Sequence, residues 1–319
     1  MANEPQTFPP PDMDKPVLAI IPAVFASDVA TVQLTMSLNA LAFGAAQLVH
    51  GPMADRFGRR PVLLAGMAAF IVCSLACALA SSIGGLIAAR IFQGLAASSE
   101  AVVALAVIRD LYRGNQAVRI LSLYGMAIAL APAAGPILGG YMHVAFGWRS
   151  NFFLLAVIAV AVTLMTWRFL PESRTPDPGA LKPRHVAAGF GRLLRQRVFI
   201  GHALMLGAVM AAIYAFITAA PFILIDRYDV ATQHFGYYQA VVVLLYVLGS
   251  VLANRAVGRL GIETLLRAGL IVTVAGGLAM PVAVAVVESA ASLTAAMSLF
   301  AFGIGLVFAT EPLPGRSRR

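Results

Sequence analysis

The chain has 319 residues, 60% hydrophobic and only 12% charged, with a mean hydropathy of +0.84 and a formal charge of +9. A soluble domain carries roughly 25% charged residues, so the composition excludes a water-soluble globule and points to an all-α polytopic membrane protein. The positive charge suits a nucleic-acid binder, but the placement of the cations excludes that partner.

The opening stretch, MANEPQTFPPPDMDKP, has no basic start followed by an apolar core, so no secretory leader is read from it. The apolar run 17–27 is too short to span and is interrupted by Pro22. Crossing a bilayer takes about 20 mostly apolar residues. Nine runs qualify: 31–53, 61–82, 84–108, 120–143, 151–170, 198–224, 236–256, 268–287 and 292–310.

Nineteen of the 23 lysines and arginines fall in alternate gaps and the C-terminal tail; Lys15, Arg149 and Arg227 fall on the other side, and Arg90 lies within a span. This positive-inside asymmetry puts the C-terminus in the cytoplasm of a multi-pass inner-membrane protein. It also accounts for the net charge through the anionic inner leaflet, with no nucleic acid.

Between the first two runs lies GPMADRFGRRP. Gly51 suits a close helix approach, and Gly58 supplies the positive φ of a tight reversal. Pro61 suits a first helical turn. Asp55 and Arg59 are four apart and pair if that stretch is helical. Arg56 and Arg60 add to the inner charge. On these grounds alone a topology-fixing basic turn is as good a reading as a gate.

In the third run, RIFQGLAAS places Arg90 inside an apolar helix, where a charge costs a few kcal/mol and usually faces a cavity or a partner. Gln93, Ala97 and Glu100 fall within roughly 80° of Arg90, so two intramembrane charges share one stripe. About 15 Å separates Arg90 from Glu100 along the axis, too far to pair. In the fourth run, APAAGPILGG sets Gly135 and Gly139 four apart as a packing face, with Pro132 and Pro136 able to bend the helix and Gly140 next to them. Asn39, Gln47, Tyr124, Tyr214, Tyr238 and Gln239 are further polar or aromatic positions within spans.

The longest gap, 171–197, is rich in proline and arginine and reads as a linker between helical halves at 31–170 and 198–319, with 1–30 a separate leading segment. Its VAAGFGRLLRQR portion suits a basic amphipathic surface helix. A faint internal repeat matches Gly51, Asp55, Arg56, Gly58 and Arg59 to Ser250, Asn254, Arg255, Gly258 and Arg259.

Cys73 and Cys77 read as packing, and five scattered histidines offer no metal-ligand spacing, so no metal is expected. No glycine-rich nucleotide loop is present, so ATP is not the expected drive. No nucleophile or acid–base cluster suggests an enzyme.

GPMADRFGRRP resembles the cytoplasmic signature of the major facilitator superfamily. RIFQGLAAS is similar to that family's fourth-helix Arg-x-x-Gln-Gly pattern, and APAAGPILGG to the Gly-Pro-x-x-Gly-Gly pattern of proton-coupled exporters. DMDKPVLAIIPAV resembles a first-helix stretch of the Bcr/CflA drug-resistance branch. The resemblance implies a drug:proton antiporter with a twelve-helix fold, no cofactor beyond the proton gradient, and small molecules, protons and the bilayer as partners of a monomer. It implies Gly51, Asp55, Arg56, Gly58, Arg59 and Arg60 as a gate hairpin. Arg90, Gln93 and Gly94 become cavity or coupling residues, joined by Asp12 as a candidate proton carrier; Glu100 is added by its stripe position alone. Pro132, Gly135, Pro136, Gly139 and Gly140 form the exporter motif. With about nine of twelve helices spelled out, the expectation is a major facilitator fold shortened at both ends. A non-transporting remnant or membrane interaction subunit, or a metabolite transporter, is the alternative.

Overall fold

The computed structural model describes residue 21 and residues 24–308. Asp12 lies outside the described residues. The described chain is helical, with no strand in it. Among the described residues ten α-helices follow from residue 29: α1 Val29–Phe57, α2 Arg59–Ala78, α3 Ile83–Leu111, α4 Gly114–Phe146, α5 Arg149–Phe169, α6 Pro183–Leu194, α7 Arg197–Pro221, α8 Thr232–Leu260, α9 Ile262–Val282 and α10 Ala290–Phe308. Short π-helical turns, Phe222–Arg227 and Ala283–Val287, extend α7 and α9.

Among the described residues, α1, α2, α3, α5 and α8 to α10, together with the segment Phe199–Ile225, are long and apolar enough to cross a membrane. The 33-residue α4 carries the fourth apolar run of the sequence. Several helices outlast those runs: α1 continues through Asp55 and Arg56, α3 through Arg109 and Asp110, and α8 through Arg259. Hydropathy reports where lipid begins and ends, whereas the backbone stays helical until a cap or a turn residue stops it.

Caps set the starts. Asp28 accepts from the Thr31 N–H at 3.1 Å and from its hydroxyl at 2.5 Å, opening α1. These two bonds hold the exposed Asp28 carboxyl below its ordinary value. Ser82 opens α3 by accepting from the Gly85 N–H at 3.1 Å.

The described residues fall into two compact units, one made of those up to 124 with 142–219, the other of 125–141 with those from 220 on. In the first, α3 packs against both α1 and α2, and α2 also packs against α5. One core joins Ile21, Val32, Cys77, Leu86, Trp148 and Phe152, with Phe152 edge-on to Trp148 at 6.2 Å. Another joins Ala54, Val62, Leu63, Met67, Val103 and Val107. In the second unit α10 packs against both α8 and α9. The first three helices and the last three therefore share one packing pattern, as an internal repeat requires.

In lipid, helix association depends on close van der Waals contact. At Gly94 an added Cβ would collide with the Asn39 carbonyl of α1. Gly94→Ala is therefore expected to force α1 from α3, costing about 1–3 kcal/mol. Gly44, with nothing within 4 Å, gives the control: Gly44→Ala should leave the unfolding midpoint of the solubilised protein unchanged while Gly94→Ala lowers it.

The repeat corrects one pairing made from sequence. Gly58 ends α1 at φ +98 and opens α2. Its counterpart is Gly261, which ends α8 at φ +78 and opens α9. Gly258, matched by spelling, lies within α8 with nothing near it. A one-residue reversal between helices needs positive φ, and only Gly261 supplies it there.

Candidate functional site

The hairpin between α1 and α2 is built around Gly58. At φ +98 its backbone favours glycine, and an added Cβ would lie 2.5 Å from the Glu172 Oε2. That closeness lets Glu172 cap α2. Its Oε1 accepts from the Arg59 N–H at 2.9 Å, and its Oε2 from the Arg60 N–H at 3.2 Å. A carboxylate at a helix N-terminus meets both orphan donors and the positive end of the dipole.

Arg59 is 6% exposed. Its Nη2 pairs with the Asp55 Oδ1 at 2.8 Å and its Nε with the Asp110 Oδ2 at 3.1 Å. Asp55 and Arg59 pair as the sequence suggested, but across the break at Gly58 and not along one continuous helix. Arg174 adds a second cation to Asp55 at 3.3 Å, and the Ser173 hydroxyl donates to Asp110 at 3.3 Å. The Asp177 N–H donates to the Asp55 carbonyl at 2.9 Å. Arg60 donates to the Trp167 carbonyl at 2.5 Å, and Arg56 stacks 6.0 Å from the Phe57 ring centroid. Gly51 is not required by packing here: a Cβ there would meet Val102 at an ordinary 4.0 Å.

The second cluster lies within the spans. Arg90 Nη1 donates to the Gln93 Oε1 at 2.7 Å, and the Gln93 Nε2 donates to the Ser74 Oγ at 2.8 Å. Ser74 in turn donates to the Phe70 carbonyl at 2.8 Å. Gln93 and Ser74 are fully buried. Asn39 donates to the Arg90 carbonyl at 2.6 Å, so α1, α2 and α3 meet at this point. The other guanidinium nitrogen reaches the Met36 sulfur at 3.5 Å, and its carbon stands 5.9 Å from the Phe152 centroid. A cavity of about 180 Å³ opens beside Arg90, lined also by Ile21, Thr35, Met36, Leu86 and Asn151. Among the described residues no carboxylate pairs with Arg90.

Glu100 is half-buried on the same helix, and no ion pair joins it to Arg90. On α4, the structure runs one helix through Pro132 and Pro136. Gly135 has nothing within 4 Å of an added Cβ; the close approach in this region is at Ile137, against Gly236 of α8. Four residues on, the Tyr141 and Tyr237 hydroxyls bond at 2.9 Å.

Asp110, Glu172 and Arg174 complete the hairpin and were not singled out from sequence. Asp110 and Glu172 showed in the sequence as isolated acids at the ends of apolar runs, in IRDLYR and LPESR, the second of which ends on Arg174. Nothing in those spellings says that residues more than 50 or 110 positions from Arg59 return to it. The buried Ser74 partner of Gln93 carried no signal beyond being a serine in an apolar helix.

The family profile described as Major Facilitator Superfamily matches residues 15–312. The chain is similar to a chloramphenicol resistance protein of Pseudomonas aeruginosa, 30% identical over 303 residues covering 94% of this chain and 71% of that one. It is 32% identical over 302 residues to the multidrug transporter MdfA of Yersinia pestis, covering 92% and 72%. It is 28% identical over 254 residues to a bicyclomycin resistance protein homolog of Haemophilus influenzae, covering 79% and 64%. Among solved structures, the partially occluded inward-open xylose transporter XylE of E. coli shares the fold, with a TM-score of 0.67 at 15% identity over 92% of this chain and 77% of that one.

Proposed function

The chain belongs to the Major Facilitator Superfamily, and on that premise we propose that it exports drugs or other small amphipathic molecules by proton-coupled alternating access. The relatives named for chloramphenicol, bicyclomycin and multidrug resistance support the substrate class. The observation that carries the mechanism is Arg90. It is a cation inside an apolar span, held by Gln93 and Asn39 contacts, with no carboxylate partner among the described residues and a cavity at its side. A charge so placed is costly unless it serves a ligand, a proton or a moving partner.

The roles follow from position. Gln93 and Ser74 fix the guanidinium, Asn39 fixes its backbone, and Met36 and Phe152 shape the apolar wall that an amphipathic molecule needs. Glu100 supplies a membrane-embedded carboxyl on the same helix, able to gain and lose a proton as the cavity changes sides. Outward rocking of helices would then exchange protons for substrate. The hairpin of Asp55, Arg59 and Asp110, capped by Glu172, stabilises one of the two access states from the cytoplasmic face. No cofactor is needed, because the proton gradient supplies the work.

The test uses the purified chain in proteoliposomes with a pH-sensitive dye inside and an imposed pH gradient. Addition of chloramphenicol or bicyclomycin should accelerate dissipation of the gradient, and the gradient should drive drug uptake. Drug flux that ignores the gradient removes the coupling. A folded chain that moves neither drug nor protons leaves the membrane interaction subunit as the reading, and flux restricted to polar metabolites leaves metabolite transport.

A further inference from the structure

The helix α6, Pro183–Leu194, takes no part in either buried core of the first unit. Proline occupies its first turn, where the missing N–H costs nothing. Val186, Phe190, Leu193 and Leu194 fall within about 100° of one another around its axis, and Arg184, Arg192 and Arg195 within about 80° on the opposite side. Leu193 is 37% exposed and Leu194 63% exposed, and the three arginines are exposed. From Pro178 to Arg197 the chain carries five cations and no acid.

Both ends of this segment are tied. Upstream, Glu172, Arg174 and Asp177 are bonded to the hairpin residues. Downstream, only Arg195 and Gln196 separate α6 from α7, and this junction is bonded by the Gln196 N–H to the Leu193 carbonyl at 3.0 Å and by the Ile200 N–H to the Gln196 carbonyl at 3.1 Å. The membrane-length helices α5 and α7 flank it, so α6 lies at the bilayer face from which α5 leaves and α7 enters. The cation distribution makes that the cytoplasmic face.

We propose that α6 docks flat on the inner leaflet. Its Val186–Leu194 stripe enters the acyl boundary, and Arg184, Arg192 and Arg195 engage anionic phospholipid headgroups. The occupant follows from the pattern. A separate apolar stripe and basic stripe on one short helix match an interface that is apolar below and anionic above. An acidic protein partner would complement the arginines but leave no reason for Leu193 and Leu194 to be presented beside two membrane helices. Docking fixes the start of α7 through the two-residue junction, so headgroup charge reaches the first helix after the linker.

Amide hydrogen exchange of the full chain tests this. It is measured on peptides covering 181–197 in nanodiscs of phosphatidylcholine alone, in nanodiscs with a quarter phosphatidylglycerol, and in lipid-free detergent. The native α6 amides should exchange about tenfold more slowly with phosphatidylglycerol than without. The triple variant R184Q/R192Q/R195Q should reduce that difference to under about twofold, and L193S/L194S should lose protection in both lipids while α7 stays protected. Equal exchange of the native chain in the two nanodiscs overturns the proposal. So does protection that persists undiminished in lipid-free detergent, which places α6 on protein. Neither result depends on whether the chain transports drug.

Discussion

Arg90→Ala is expected to lower gradient-driven drug flux by at least ~100-fold, or about 2.7 kcal/mol of barrier, while the chain remains folded. Two consequences of removing the guanidinium separate function from folding. The helix loses a charge that lipid and protein tolerate at a cost of a few kcal/mol, and alanine is the strongest helix former. The Asn39 bond goes to the Arg90 backbone carbonyl and survives, as does the Gln93–Ser74 bond. The unfolding midpoint should therefore hold or rise as flux collapses. Arg90→Lys is the sharper probe. It keeps the charge but has no planar fork to hold Gln93 and Met36 together, as Nη1 and Nη2 do. Flux should fall about tenfold and retain its dependence on the gradient. Proteoliposome uptake and a thermal melt of the same preparations decide the matter. Native flux in Arg90→Ala removes Arg90 from the mechanism, and a lowered melt with lost flux makes it a structural residue.

The helical, membrane-crossing character was legible because it rests on one-dimensional quantities. Apolar runs of sufficient length, the alternation of cations and the glycine-punctuated turn at Gly58 are all local in sequence. Arg90 was legible for the same reason: a lone charge in an apolar run stands out without knowledge of its neighbours. That Gln93 shares the face of Arg90 was legible too, since the two are three residues apart on one helix; the bond between them comes from the structure. Gly258 was matched to Gly58 in place of Gly261 because spelling was aligned where backbone conformation decides. The partners that give Arg59 its setting were not legible at all. Asp110 comes from the end of α3 and Glu172 from just beyond the end of α5, and only the packing of α2 against both helices brings them to the hairpin. Gly135 shows the opposite error, since a small residue in a packing motif need not be the residue at the contact.

Arg59→Ala should cost about 2–3 kcal/mol of stability. Breaking a buried ion pair by removing one partner costs about 3–5 kcal/mol. The lower range applies because the Asp55 and Asp110 side chains are 35% and 23% exposed, so water recovers part of the loss. The damage comes less from the lost attraction than from the two carboxylates left on one small site. That distinction is measurable. Adding Asp110→Asn to Arg59→Ala removes one orphaned charge and should restore about 1 kcal/mol, although Asp110→Asn alone in the native background is destabilising. Glu172→Gln should cost about 1 kcal/mol, because the amide retains one acceptor but loses the charge that faces the α2 N-terminus. The cap reaches backbone N–H groups, so its loss should add to that of Arg59→Ala with little coupling, whereas Arg59 and Asp110 should couple strongly. Denaturant titration of the four proteins in the Arg59–Asp110 cycle, with Glu172→Gln alongside, tests both statements. Additive Arg59 and Asp110 effects would mean that the hairpin is held by its glycine reversal and the Glu172 cap, with the buried guanidinium a passenger.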